Sequence, residues 1–220
     1  LKYGYDYNRI IDDCKVIDNS ICYNEKLKYQ IFDMFYTRYK LHKEVYNHPV
    51  VKSIEYMVKD ILLDLNKHIN FKDSIETMDF VNYNDNIIFK VNDIKDKSLD
   101  KARDLLNKIH NRDIYKYIGE VRYTDEITKD YIEDILKDKD IDMKDVIIQD
   151  MTISYMSNKK NPLKNIRFYN KRDINKSYYL TKDSITKIMP KEYNERTLRV
   201  FSKNNKNNNN LYKILFDIKK

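Results

Sequence analysis

From Asn24 to His68 the apolar residues recur at helical spacing, and a single proline interrupts the run. This feature constrains the fold most, because an apolar stripe with a 3.6-residue period is buried only when a helix lays it against a core. Leu27, Ile31, Met34, Phe35 and Leu41 form the first stripe. Asn24 is placed to cap it, since its short amide can accept from a free first-turn N–H. Pro49 suits the first turn of a second helix, where its missing N–H is not needed. Ile54, Met57, Val58, Ile61, Leu62 and Leu65 carry that helix towards His68. Residues 6–16, 76–92 and 98–110 predict further helices, and Gly119 reads as a break. The first 120 residues are therefore expected to be mostly helical, with one brief strand at Ser20–Tyr23.

After residue 120 the pattern changes. Lys129–Lys137 predicts a helix, but Val146–Tyr155 mixes β-branched and apolar residues as a strand does. Ile166–Tyr169, Tyr178–Leu180 and Thr197–Phe201 are shorter strand candidates. Lys182–Met189, closed by Pro190, and Leu211–Ile218 predict helices, and the Asn-rich stretch Asn204–Asn210 reads as a flexible loop. No internal repeat is visible.

Composition narrows the partners. Forty-two basic and 35 acidic residues leave a formal charge of +7. That excess favours phosphates, nucleotides or nucleic acid, and is equally the mark of a lysine-rich solvated surface. Cys14 and Cys22 make no zinc pattern and are expected to be reduced. None of His42, His48, His68 and His110 is followed by Asp, and none sits in a His-Glu-x-x-His pattern. No apolar run reaches the length of a membrane span and no signal-peptide core is present, so an intracellular protein, nuclear or cytoplasmic, is expected without a membrane partner.

The segment Phe32-Asp33-Met34-Phe35-Tyr36-Thr37-Arg38, continuing through Leu41-His42 to Tyr46-Asn47-His48, resembles a signature helix of the SAM-and-HD-domain deoxynucleotide triphosphohydrolases. Tyr5-Asp6-Tyr7, the run from Arg112 to Glu120, Lys160-Asn161-Pro162, Phe168-Tyr169, Leu198-Arg199-Val200-Phe201 and Leu211-Tyr212 are similar to further family segments, in order. The resemblance implies a fold that is mainly α, part of an all-helical HD-type core, followed by a smaller α+β C-terminal lobe with a few antiparallel strands. Residues 1–120 would be the back of the catalytic domain and residues 121–220 a regulatory and oligomerisation lobe.

The family hydrolyses a deoxynucleoside triphosphate to deoxynucleoside and triphosphate beside a divalent or transition metal held by a His…His-Asp…Asp set. This chain has no His-Asp dipeptide. The resemblance places the last metal ligand upstream of Leu1 and implies that this chain alone binds no such metal and is inactive, with Mg2+ arriving only with nucleotides. Arg38 matches the family arginine on the substrate triphosphate, Tyr46 the tyrosine against the deoxyribose, and His48 a neighbour in the same pocket. His42 lies one turn after Arg38 and is a further candidate, as a pocket residue or as a structural histidine.

Nucleotides also regulate the family, with GTP or dGTP in one site and a dNTP in the next, assembling dimers into tetramers. By the same resemblance Lys15 faces an activator base, and Lys26, Lys176, Lys182 and Lys203 match or lie near cations on activator phosphates. Asn24, Gln30 and Pro49 depart from the family pattern, and two of the departures remove a cation. Two other readings stand beside this one: a catalytically inactive relative that binds single-stranded nucleic acid through its 20 tyrosines and many lysines, and an oligomerisation module.

Overall fold

The structure, a computed structural model, describes residues 4–155, 161–181, 192–204 and 206–219. In chain order the elements are α1 (Tyr7–Asp12), β1 (Cys14–Ile17), β2 (Ser20–Asn24), α2 (Lys28–Leu41), α3 (Pro49–Ile69), α4 (Phe71–Glu76), α5 (Lys90–Asp93) and α6 (Asp100–His110). There follow β3 (Lys116–Arg122), α7 (Lys129–Asp138), β4 (Val146–Ser154), β5 (Arg167–Asn170), β6 (Asp173–Tyr179), β7 (Asn194–Ser202) and α8 (Asn208–Ile218). The mainly helical character with a smaller α+β part is as the sequence led us to expect. Contacts gather the chain into two units, residues 1–47 with 151–196 and residues 48–150 with 197–220, so each draws on both sides of residue 120.

The first unit is built on a four-stranded sheet of order β1-β2-β5-β6. Asp6 caps α1 by accepting from the Arg9 N–H, and α1 ends at Asp12. Residues 6–16 are therefore not one helix. Asp18 and Asn19 both take left-handed φ values, +49° and +55°, the geometry of a tight two-residue hairpin turn. That turn pairs Ile17 with Ser20 and Cys14 with Tyr23, so the β-branched Val16 and Ile17 join a ladder instead of extending α1. β2 then pairs with β5 in parallel, a departure from the expected antiparallel pairing, and β5 pairs with β6 antiparallel. Asn24 caps as expected, its Oδ1 accepting from the Lys26 N–H at 3.1 Å. Ile10, Leu27, Ile31, Leu163, Phe168 and Leu180 form the core under α2.

In the second unit Pro49 sits at the start of α3 and His48 caps it, the Nδ1 accepting from the Val50 N–H. Met57, Ile61 and Leu65, each four residues from the next, are fully buried against Ala102, Leu105 and Leu106 of α6. Each such side chain stabilises the unit by about 1.5–3 kcal/mol relative to exposure. Residues 76–92 are not the single helix expected. α4 stops at Glu76, Met78 turns left-handed at φ +63°, and two 3-10 turns precede α5. The Asn84 side-chain oxygen accepts from the Asn86 N–H, and such local bonds compete with helix propagation. Arg103 secures the loop that follows, donating from Nε to the Val91 carbonyl at 2.9 Å and from Nη2 to the Asp96 carbonyl at 3.0 Å.

Gly119 does not break the chain; it lies inside β3. Between Tyr117 and Gly119 the register against β7 shifts by a bulge, and Gly119 takes φ +157°, which L side chains rarely adopt. β3, β7 and β4 form a three-stranded sheet in that order. Ile118, Val121, Val146, Ile148, Leu198 and Val200 pack there with Ile132 and Leu136 of α7 and Leu211 and Leu215 of α8. Helix α8 begins at Asn208, so the end of the Asn-rich stretch is helical and not loop. The helix expected at Lys182–Met189 lies outside the described residues. Among the described residues no helix is long and apolar enough to cross a membrane.

Candidate functional site

Helix α2 does not end cleanly at Leu41. It runs on through one π-helical turn, His42–Tyr46, closed by the Asn47 N–H and side-chain amide, which both donate to the His42 carbonyl at 3.1 and 2.7 Å. Such i→i+5 turns recur at functional sites because the extra residue re-aims the side chains around it. Arg38, His42 and Tyr46 project from this stretch. The His42 and Tyr46 rings meet edge to face, with centroids 5.2 Å apart. Burial, and then the Arg38 guanidinium nearby, holds the His42 pKa below its ordinary value. That shift favours the neutral imidazole, which can accept one hydrogen bond and donate another.

Arg38 is exposed and donates from Nη1 to the Ser154 carbonyl at 3.0 Å. That uses one of the five donors of a guanidinium and leaves the rest of the fork available. Tyr46 is 54 % exposed, presenting an apolar ring to solvent. Arg38, His42 and Tyr46 thus lie along one continuous helical segment, whereas His48, which helical pitch also allowed on the side of Arg38 and Tyr46, falls outside that segment. His48 opens the second unit, where its ring is engaged as the α3 cap.

Sequence reasoning missed what braces this segment. Tyr155, just after β4, stacks on Phe32, Tyr36 and Tyr39 with centroids 5.7, 5.9 and 5.0 Å away. Burial first, and then the neighbouring tyrosines and Glu195, push the Tyr155 hydroxyl up to about 12. Lys43 bridges the Tyr39 hydroxyl at 3.2 Å and Glu195 at 2.9 Å. The stack holds α2 beside residues 154–155 and so fixes where Arg38 points. Phe32, Tyr36 and Tyr39 lie three and four residues apart, a signal that could have flagged an aromatic seam; their partner 116 residues after Tyr39 could not be read from spacing.

The lysines fall into separate environments. In the first unit, Lys15 on β1 holds its ammonium 4.2 Å above the Tyr169 ring. Lys26 is exposed in the turn after β2, and Lys176 on β6 lies 3.6 Å from Asp173. Lys203 belongs to the second unit and is already engaged. Its ammonium lies 2.6 Å from Asp60 Oδ2, which also accepts from the Tyr115 hydroxyl at 2.8 Å. Lys203 and Tyr115 line a small polar cavity of about 170 Å3 together with Lys108, Lys116 and Asp113. Lys182 lies outside the described residues. Among the described residues no three His, Cys, Asp or Glu side chains converge as a metal site would need.

A family model described as an HD associated region matches residues 5–159, well over half of the chain. The chain belongs to that family. The resemblance drawn from the segment around Arg38 is borne out by relatives among the SAM-and-HD-domain triphosphohydrolases. The deoxynucleoside triphosphate triphosphohydrolase SAMHD1 homolog of Dictyostelium discoideum is 33% identical over 202 residues, 89% of this chain and 39% of that relative. The SAMHD1 proteins of Bos taurus and Homo sapiens are each 28% identical over 231 residues, covering 92% of this chain and 39% and 37% of their own lengths. The chain therefore spans well under half the length of these relatives.

Proposed function

We propose that this chain is part of a metal-dependent phosphohydrolase that converts deoxynucleoside triphosphates to deoxynucleoside and triphosphate, contributing one wall of the substrate pocket and a nucleotide-regulated assembly surface. The observation that carries this reading is the placement of Arg38, His42 and Tyr46 along α2 and its π turn, inside a family segment.

In this role Arg38 donates its remaining N–H groups to the triphosphate, where a planar, permanently charged fork suits phosphate oxygens. The Tyr46 ring is the apolar wall against the sugar, closing the space that a 2′-hydroxyl would occupy. His42 contributes a hydrogen bond, and His48 is the further substrate contact that the resemblance implies for the parent. A metal held by the parent outside this chain would supply Lewis-acid polarisation of the phosphoryl group.

Lys15, Lys26, Lys176, Lys182 and Lys203 are the activator contacts in this reading, for GTP or dGTP and a dNTP with Mg2+, and nucleotide bridges subunits into an oligomer. Lys203 must first leave Asp60, which makes its contribution conditional on a competing phosphate.

The test is triphosphate release from dATP, with divalent metal, by the full parent reading frame beside this chain, with and without GTP. Release by the parent and not by this chain is the expected result, and a GTP requirement adds the regulatory half. A folded, metal-loaded parent that releases nothing under any activator sinks the hydrolase reading, and tight salt-sensitive oligonucleotide binding would then favour a nucleic-acid-binding relative.

A further inference from the structure

Helix α2 has to end before Pro49. Proline disfavours helical geometry in the residue before it, and His48 is extended at φ −58° and ψ +136°. The last carbonyls of α2 therefore need donors from outside the regular ladder. Asn47 supplies two of them to a single atom. Its backbone N–H reaches the His42 carbonyl at 3.1 Å and is shared with the Val45 carbonyl, and its side-chain Nδ2 donates to the same His42 oxygen at 2.7 Å. A carbonyl has two lone pairs, so both bonds form together. The side-chain bond is the shorter, and it favours the i→i+5 closure over an ordinary i→i+4 turn.

That closure changes where Tyr46 points. A regular α-helix advances about 100° per residue, so eight residues would carry Tyr46 about 80° past the direction of Arg38. A π turn takes one extra residue into the hydrogen-bonded ring, so the same eight residues cover the arc of about seven. Tyr46 then falls about 20° short of Arg38, two turns along and about 10 Å away at the backbone. Arg38 stands before the turn. Its carbonyl accepts from the His42 N–H in the regular ladder, and its Nη1 donates to the Ser154 carbonyl. The turn therefore moves the tyrosine and leaves the arginine where it is. His42 lies between them, its ring edge to face with Tyr46 at 5.2 Å. A guanidinium and an apolar ring two turns apart along one line suit a ligand with a polyanion at one end and a sugar at the other.

We propose that Asn47 is a positioning residue: its side-chain amide closes the π turn, turns Tyr46 into line with Arg38, and so sets the discrimination between deoxyribonucleotides and ribonucleotides. Asn47 acts through the His42 carbonyl and touches no substrate in this role. The consequence for the sugar rests on the proposed function; the effect on the helix does not.

The experiment has one arm on this chain and one on the parent. Nuclear Overhauser contacts read the turn in this chain: across a π turn the Tyr46 β protons meet the α proton of His42, and across an α turn that of Lys43. Asn47→Asp keeps the shape and loses the donor, Asn47→Ala loses the side chain without adding charge, and Asn47→Gln keeps the donor on a longer stem. The contact should pass from His42 to Lys43 in the Asp and Ala variants and stay with His42 in the Gln variant. In the parent, the ratio of kcat/KM for dATP over ATP should fall about tenfold in the Asp and Ala variants and recover in the Gln variant; an added charge cancels in that ratio. Inhibition by inorganic triphosphate should not change, because Arg38 keeps its place. A His42 contact retained in both the Asp and Ala variants, or absent from the wild type, overturns the proposal, as does an unchanged ratio in an active parent. Loss of triphosphate inhibition along with the ratio also overturns it, as damage to the whole pocket. A parent inert toward every nucleotide removes the hydrolase reading, and the contacts in this chain still decide whether Asn47 sets the turn.

Discussion

Replacing Asp60 tests a carboxylate that holds two partners at once in the second unit. Its Oδ2 accepts from the Tyr115 hydroxyl at 2.8 Å and holds the Lys203 ammonium at 2.6 Å, with Asp60 and Lys203 side chains 18% and 27% exposed. In Asp60→Ala the Tyr115 hydroxyl, on a residue only 6% exposed, loses its acceptor, at about 1–3 kcal/mol for a buried unsatisfied group. Lys203 keeps partial access to water, so its lost pair adds no more than about 1 kcal/mol. The expected total is about 3 kcal/mol, and Asp60→Asn, which keeps an acceptor for Tyr115, should lose only about 1 kcal/mol. Urea unfolding followed by far-UV circular dichroism reads both. Tyr115→Phe in the Asp60→Ala background removes the stranded hydroxyl, so the double variant should be less destabilised than the sum of the singles. An Asp60→Ala midpoint indistinguishable from wild type, or strict additivity in that cycle, would refute the reasoning.

Three further outcomes are expected. Arg38→Lys in the parent protein should lower kcat/KM for dATP by about 10- to 100-fold, the worth of a charge-assisted phosphate contact, without moving the unfolding midpoint; unchanged kinetics would remove Arg38 from the pocket. Burial, then a neighbouring carboxylate, pushes Tyr117 and Tyr178 up to about 12. A raised phenol contributes stability that is whole below its unfolded value of about 10 and is lost as pH rises towards the folded value, so unfolding free energy should fall between pH 10 and about 12. Phenolate absorbance near 295 nm that rises in one step at the ordinary value would contradict that environment. Ile61→Ala, at a side chain with no exposure in the α3–α6 core, should cost about 2–5 kcal/mol in urea unfolding, and a loss under 1 kcal/mol would mean that the two helices do not pack as described.

Much of this protein is legible in the residues themselves. Helices α2, α3, α6 and α7 follow from apolar spacing, helped by local caps: Asn24 on the 3-10 turn that leads into α2, His48 before Pro49 at α3, and Thr128 accepting from the Tyr131 N–H at α7. The placement of Arg38, His42 and Tyr46 along one helical segment follows from the same periodicity, and the family was recognisable from the segment that contains them. Signals that act over three or four residues survive in a linear reading. The errors arose where a distant partner outweighed the local pattern. Val16 and Ile17 belong to a strand because β2 pairs with them, and Gly119 lies in β3 because β7 supplies the ladder and tolerates a bulge there. The Tyr155 stack and the hold of Asp60 on Lys203 join residues more than 100 positions apart. Side chains so separated are neighbours only once register and packing are set, so sequence decided which charges and rings the chain carries, and the tertiary structure alone decided which are neutralised, stacked or left free for a ligand.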